Sequence, residues 1–91
     1  MNNFIKNKKI LLVGLGRLGG GLATAKFLIK NGAKLTITDL HSSKELENTL
    51  TKLRGLKARF VLGEHRKDDF KNNDIIVFNP AVGILNKWVK V

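Results

Sequence analysis

The run Lys9-Ile10-Leu11-Leu12-Val13-Gly14-Leu15-Gly16-Arg17-Leu18-Gly19 constrains this chain more than any other segment. Ile10 to Val13 is an uninterrupted apolar stretch, the pattern of a strand buried on both faces of a parallel sheet. It enters a G-x-G-x-x-G turn, beyond which Leu18, Leu22, Ala25 and Ile29 recur at helical spacing up to the stop signal Asn31-Gly32. The order strand, glycine turn, helix assigns the glycines three roles: a tight turn at Gly14, close backbone approach to an anion at Gly16, and close helix packing at Gly19. A helix over residues 17–30 would then turn its free N–H groups toward a phosphate. Gly20 and Gly21 each cost about 1 kcal/mol of helix propensity relative to alanine, which implies either a crowded backbone or a frayed first turn. Arg17 is unfavourable beside the positive end of the helix dipole unless an anion offsets it; a solvent-pointing arginine is the alternative.

Downstream, Ala33 to Thr38 reads as a second strand, with Leu35 and Ile37 alternating against Lys34, Thr36 and Thr38, and it ends at Asp39. Ser42 and Glu45 form an S-x-x-E capping box ahead of Leu46, Leu50 and Leu53 on one helical face. Lys57 to Leu62 makes a short third strand. Gly63 through Asn73 is polar around Phe70 and predicts a loop or a single helical turn. Asp74 to Phe78 is the fourth strand, which Asn79-Pro80 ends. This alternation predicts an α/β, Rossmann-like three-layer domain with a mostly parallel sheet of order 3-2-1-4 and right-handed crossovers. The glycine turn, Asp39 and the Asn79-Pro80 loop should then converge at the carboxyl edge, where the strand order reverses.

Ninety-one residues make one domain at most, and the tail from Ile84 to Val91 is too short for another strand-helix unit, so 1–91 reads as the N-terminal part of something larger. The first residues lack the apolar core of a signal peptide, and no apolar run reaches 18 residues; a soluble, cytoplasmic chain with no membrane partner is the expectation. With no cysteine, disulfides and thiolate chemistry are excluded. The 17 lysines and arginines against 7 acidic residues give a charge of +10, but the cations are dispersed and the aromatics scattered, which argues for a solvated surface and against a nucleic-acid partner.

Candidate chemistry is sparse. Asp39 could accept hydrogen bonds from a ribose diol or a base N–H, or it could be a turn aspartate bonded to its own backbone. His41 and His65 read as polar flanking and surface residues rather than metal ligands, and Asp68 and Asp69 as helix-start charges rather than a catalytic pair. No catalytic residue and no metal site is assigned; the isolated chain is expected to bind rather than react.

With these motifs in place, the chain resembles the N-terminal domain of the Mur ligases, most closely the branch that joins D-glutamate to UDP-N-acetylmuramoyl-L-alanine. The resemblance rests on Lys9 to Gly19, the strand ending at Asp39, Val61-Leu62-Gly63-Glu64-His65, and Asn73 to Val82, and covers nearly the whole chain. It implies a cytoplasmic three-domain enzyme of peptidoglycan synthesis in which this domain holds the UDP part of UDP-N-acetylmuramoyl-L-alanine. ATP and magnesium would belong to a central domain and the incoming amino acid to a C-terminal one, both absent from these residues. There ATP would phosphorylate the substrate carboxylate, which the amine of D-glutamate would then attack. By position, the turn at Gly14, Leu15, Gly16, Arg17, Leu18 and Gly19 would hold the diphosphate, Asp39 would bond the uracil beside Leu40, and Asn79, Pro80 and Ala81 would wall the uridine pocket. The chain departs from the family in carrying Leu40 in place of a small hydroxylated residue, Asn79 in place of serine and Ala81 in place of glycine.

The main alternative is an NAD(H)- or nucleotide-binding regulatory domain, like those attached to potassium channels, which shares the glycine turn and terminal acid but needs further strands and an adenosine site. A short-chain dehydrogenase fragment lacks the tyrosine proton donor, the chain having no tyrosine. Beyond an open sheet edge, nothing favours a purely structural role.

Overall fold

The computed structural model describes residues 4–16 and 19–79. Seven elements alternate in the order β1 (Lys9–Val13), α1 (Leu22–Lys30), β2 (Lys34–Asp39), α2 (Glu47–Lys52), β3 (Arg59–Leu62), α3 (Lys67–Asn72) and β4 (Ile75–Phe78). All three strand pairings are parallel, and the sheet order is β3-β2-β1-β4. The predicted architecture and strand order therefore hold.

The apolar composition of β1 explains its central place. Ile10, Leu11, Leu12 and Val13 are each at most 1% exposed, so both faces of the strand are covered, and burial of each such side chain contributes roughly 2 kcal/mol. Alternation sorts the sheet into two faces. Ile10, Leu12, Leu35 and Ile37 form the core shared with Ala25 and Leu28 of α1 and with Leu53 after α2. Leu11, Val13, Thr36, Thr38 and Val61 look the other way, toward α3, which packs on β1 and is clasped to β3 by the Arg59–Asp69 ion pair at 2.8 Å. Thr36 and Thr38 are consequently buried, as Leu35 and Ile37 are on the opposite face; β2 is an interior strand covered on both sides.

Helix α1 begins at Leu22, later than the sequence pattern predicted. Positive φ at Gly14, Gly16 and Gly19 keeps the turn out of helical space, and Gly21 N–H donates to Leu15 O instead of continuing a helix. Arg17 and Leu18 lie outside the described residues. The stop falls where expected: Asn31 Nδ2 donates to Phe27 O, Ala33 N–H to Leu28 O, and Gly32 takes φ 87°. The capping box also forms, with Ser42 N–H on Glu45 Oε1 at 2.9 Å and Glu45 N–H on Ser42 Oγ at 3.3 Å, although regular helix starts only at Glu47. The polar stretch after Gly63 carries α3, with Asp68 and Asp69 in its first turn as the sequence indicated. Asp69 is nevertheless buried, with Oδ1 accepting from Arg59 Nη1 at 2.8 Å and Oδ2 left without a hydrogen-bond partner.

Candidate functional site

The strand order reverses between β2-β1 and β4, and in parallel sheets the carboxyl ends at such a reversal are where ligands are taken. Three sequence-predicted segments meet there. Gly14 N–H donates to Thr38 O at 2.8 Å, tying the glycine turn to β2, while Asn79 N–H donates to Val13 O at 2.9 Å and Asn79 Nδ2 to Gly14 O at 3.1 Å, tying it to the end of β4. Asn79 is buried, Leu40 is 59% exposed, and Pro80 and Ala81 lie outside the described residues.

Asp39 is the electrostatic centre of this edge. Its Oδ2 accepts from Leu15 N–H at 2.8 Å and Gly16 N–H at 3.0 Å; its Oδ1 accepts from His41 N–H and from the His41 ring Nδ1, both at 2.8 Å. Burial pushes this carboxyl up, but the N–H groups of Gly16, His41 and Leu15, with the His41 ring, outweigh it and hold Asp39 below its ordinary value. Because a carboxylate only accepts, Nδ1 of His41 carries the proton in this contact.

The segment Gly63-Glu64-His65 is stitched across the end of β2. Gly63 N–H donates to Asp39 O and His41 O, and Thr38 Oγ1 donates to Glu64 O at 3.1 Å while also lying 2.8 Å from His65 Nδ1. His65 further meets Phe70 edge-on. Burial lowers its pKa, with the Asp39 charge opposing, so the neutral ring is favoured. The sequence reading of His65 as a surface residue is corrected: it is half-buried and helps seat the loop beside Asp39. Neither Thr38 nor Thr49, whose Oγ1 donates to Gly16 O at 3.3 Å, was singled out from the sequence; both are ordinary β-branched residues whose roles arise only from partners more than 25 positions away.

The glycine roles also shift. A Cβ on Gly19 would meet nothing within 4 Å, and its requirement is the positive φ of 82°. Close packing belongs to Gly21, where a Cβ would stand 2.6 Å from Gly14 O and 3.0 Å from Leu15 Cα. Among the described residues no group of three or more metal-binding side chains assembles, and no helix is long and apolar enough to cross a membrane. A wide groove of about 1120 Å³ opens near the amino ends of the strands, lined by Lys9, Lys34, Lys57 and Arg59 among others. No residue of the glycine turn lines it, and it lies away from the carboxyl edge where parallel sheets take their ligands.

Residues 8–90 match the family described as Mur ligase MurD-like, N-terminal domain. The chain belongs to that family. It is 51% identical over 88 residues to a UDP-N-acetylmuramoylalanine--D-glutamate ligase of Borreliella burgdorferi, covering 94% of this chain and 20% of the relative. Enzymes of the same name from Roseiflexus and Treponema pallidum are 45% and 43% identical, over 96% and 86% of this chain and 19% and 15% of theirs. This MurD-like domain thus spans about a fifth of the length of the curated relatives it matches.

Proposed function

We propose that this MurD-like domain holds the UDP portion of UDP-N-acetylmuramoyl-L-alanine for a cytoplasmic ligase of peptidoglycan synthesis. The observation that carries the reading is the convergence of the glycine turn, Asp39 and Asn79 at one carboxyl edge of the sheet, in a chain half identical to an enzyme named for that substrate. The domain's part is to bind and orient: the backbone around Gly20 and the start of α1, beyond the turn amides already donated to Thr38, Asp39, Gly16 and Leu15, receives the diphosphate, and the edge formed by Leu40, His41 and Asn79 flanks the nucleoside. ATP, magnesium and D-glutamate would be bound by other domains of such a ligase, where the amide bond would form.

Binding of an adenine dinucleotide is the competing reading, and Asp39 disfavours it. The acid that would take a ribose diol already accepts four internal N–H groups. Isothermal titration calorimetry separates the two: UDP-N-acetylmuramoyl-L-alanine is expected to bind at least about tenfold more tightly than NADH, a difference of about 1.4 kcal/mol. Tighter binding of NADH would overturn the assignment.

A further inference from the structure

We propose that the amino edge of the sheet is a docking surface for an acidic polypeptide segment of a partner protein. This surface lies at the opposite end of the strands from the glycine turn and does not rest on the nucleotide reading. Cations that look dispersed in the sequence are gathered by the parallel register. Strands β1 and β2 both open on lysine, and Lys9 and Lys34 are direct partners across the ladder. Thr36 pairs with Arg59 at the start of β3, and Lys57 stands two residues before it at the rim. With Arg66 these side chains line the groove of about 1120 Å³.

Like charges set directly opposite on neighbouring strands repel, and the described residues do not relieve them. Lys9, Lys34 and Lys57 make no ion pair among those residues, and against the five cations the groove holds two carboxylates, Asp68 and Asp69. Asp69 pairs with Arg59 at 2.8 Å and orients it: the acid is buried, while the Arg59 side chain is 53% exposed and keeps further N–H donors for an incoming carboxylate. The row is not needed to offset helix dipoles, because each helix carries its own cation in its last turn, Lys30, Lys52 and Lys71. Spacing selects the occupant. Neighbouring strands lie about 4.8 Å apart, so the row from Lys9 through Lys34 to Lys57 extends roughly 10 Å. That is too long for one diphosphate and suits carboxylates at i and i+4 of an acidic helix, which stand about 5–6 Å apart. A nucleic-acid strand would also bring spaced anions, but no aromatic side chain lines the groove to stack a base.

Isothermal titration calorimetry of the 91-residue chain with octaglutamate, and with a deoxyadenylate octamer in parallel, tests this at low ionic strength, where exposed charges are least screened. Octaglutamate is expected to bind more tightly than the nucleic acid. The double variant Lys34→Gln, Lys57→Gln changes two exposed side chains and is expected to weaken octaglutamate about tenfold. The double variant Lys26→Gln, Lys44→Gln removes the same charge from exposed positions outside the groove, and is expected to weaken it less than about twofold. Equal losses in the two double variants would overturn the proposal and reduce the attraction to diffuse net charge. Tighter binding of the deoxyadenylate octamer would overturn it in favour of a nucleic acid, and no binding of octaglutamate by the wild type would overturn it outright.

Discussion

Gly21→Ala is expected to destabilise the domain by about 3 kcal/mol, lowering its melting temperature by roughly 15 °C for a chain of this size. The backbone at Gly21, φ −94° and ψ −2°, suits any residue, so the cost is purely steric. The added Cβ would stand 2.6 Å from Gly14 O and 3.0 Å from both Leu15 Cα and Leu15 O, and backbone cannot swing aside as a side chain can. Relief requires α1 to move away from the turn, which breaks the Gly21 N–H to Leu15 O bond at 2.7 Å. Gly63→Ala is the informative comparison. Its Cβ would meet nothing within 4 Å, and only the positive φ of 83° opposes it, at about 1 kcal/mol. Thermal unfolding of the two variants checks the order; a Gly21→Ala protein no less stable than Gly63→Ala would contradict the close approach of α1 to the turn.

Leu15→Ala is expected to cost about 3 kcal/mol by the cavity it leaves, an unusual sensitivity for a turn residue. Leu15 is fully buried in the core with Ile10, Leu12, Ala25 and Ile37. Its backbone holds Asp39 and Gly21 on either side, so the side chain anchors the loop that its own peptide groups build. Leu15→Met, which nearly conserves volume, should lose less than about 1.5 kcal/mol. Urea unfolding measures both, and an unchanged m-value would assign the loss to stability alone. A Leu15→Ala loss below about 1 kcal/mol would show that the turn is not part of the core.

These sensitivities show which parts of the molecule sequence pattern can reveal. The Ile10 to Val13 run, the glycine turn, the Asn31-Gly32 stop and the Ser42/Glu45 box are local signals whose physics acts within a few residues, and each appears in the structure. The start of α1 was misplaced because apolar periodicity through Leu18 and Leu22 looks helical, whereas three positive-φ glycines hold the backbone elsewhere. Close packing was assigned to Gly19 by motif and belongs to Gly21, since only the three-dimensional course of the turn decides which glycine faces Gly14 O. The partners of Asp39, His65 and Asp69 were beyond reach for a related reason. The Asp39 contacts to the turn span 23 and 24 positions, that of His65 to Thr38 spans 27, and nothing in the composition around either end announces the other. Asp69 reads as a helix-start charge and is one, yet it is buried and its ion-pair partner, Arg59, lies in a different element.

The proposed place of the nucleotide is the carboxyl edge, against the glycine turn, and not the basic groove near the amino ends of the strands. An ¹H–¹⁵N NMR titration of the domain with UDP tests it residue by residue. The account predicts shifts concentrated at Gly14 to Gly16, Gly19 to Gly21, Leu40, His41 and Asn79, with Lys34, Lys57 and Arg59 unmoved. Shifts centred on Lys34, Lys57 and Arg59, with the glycine turn silent, would contradict it.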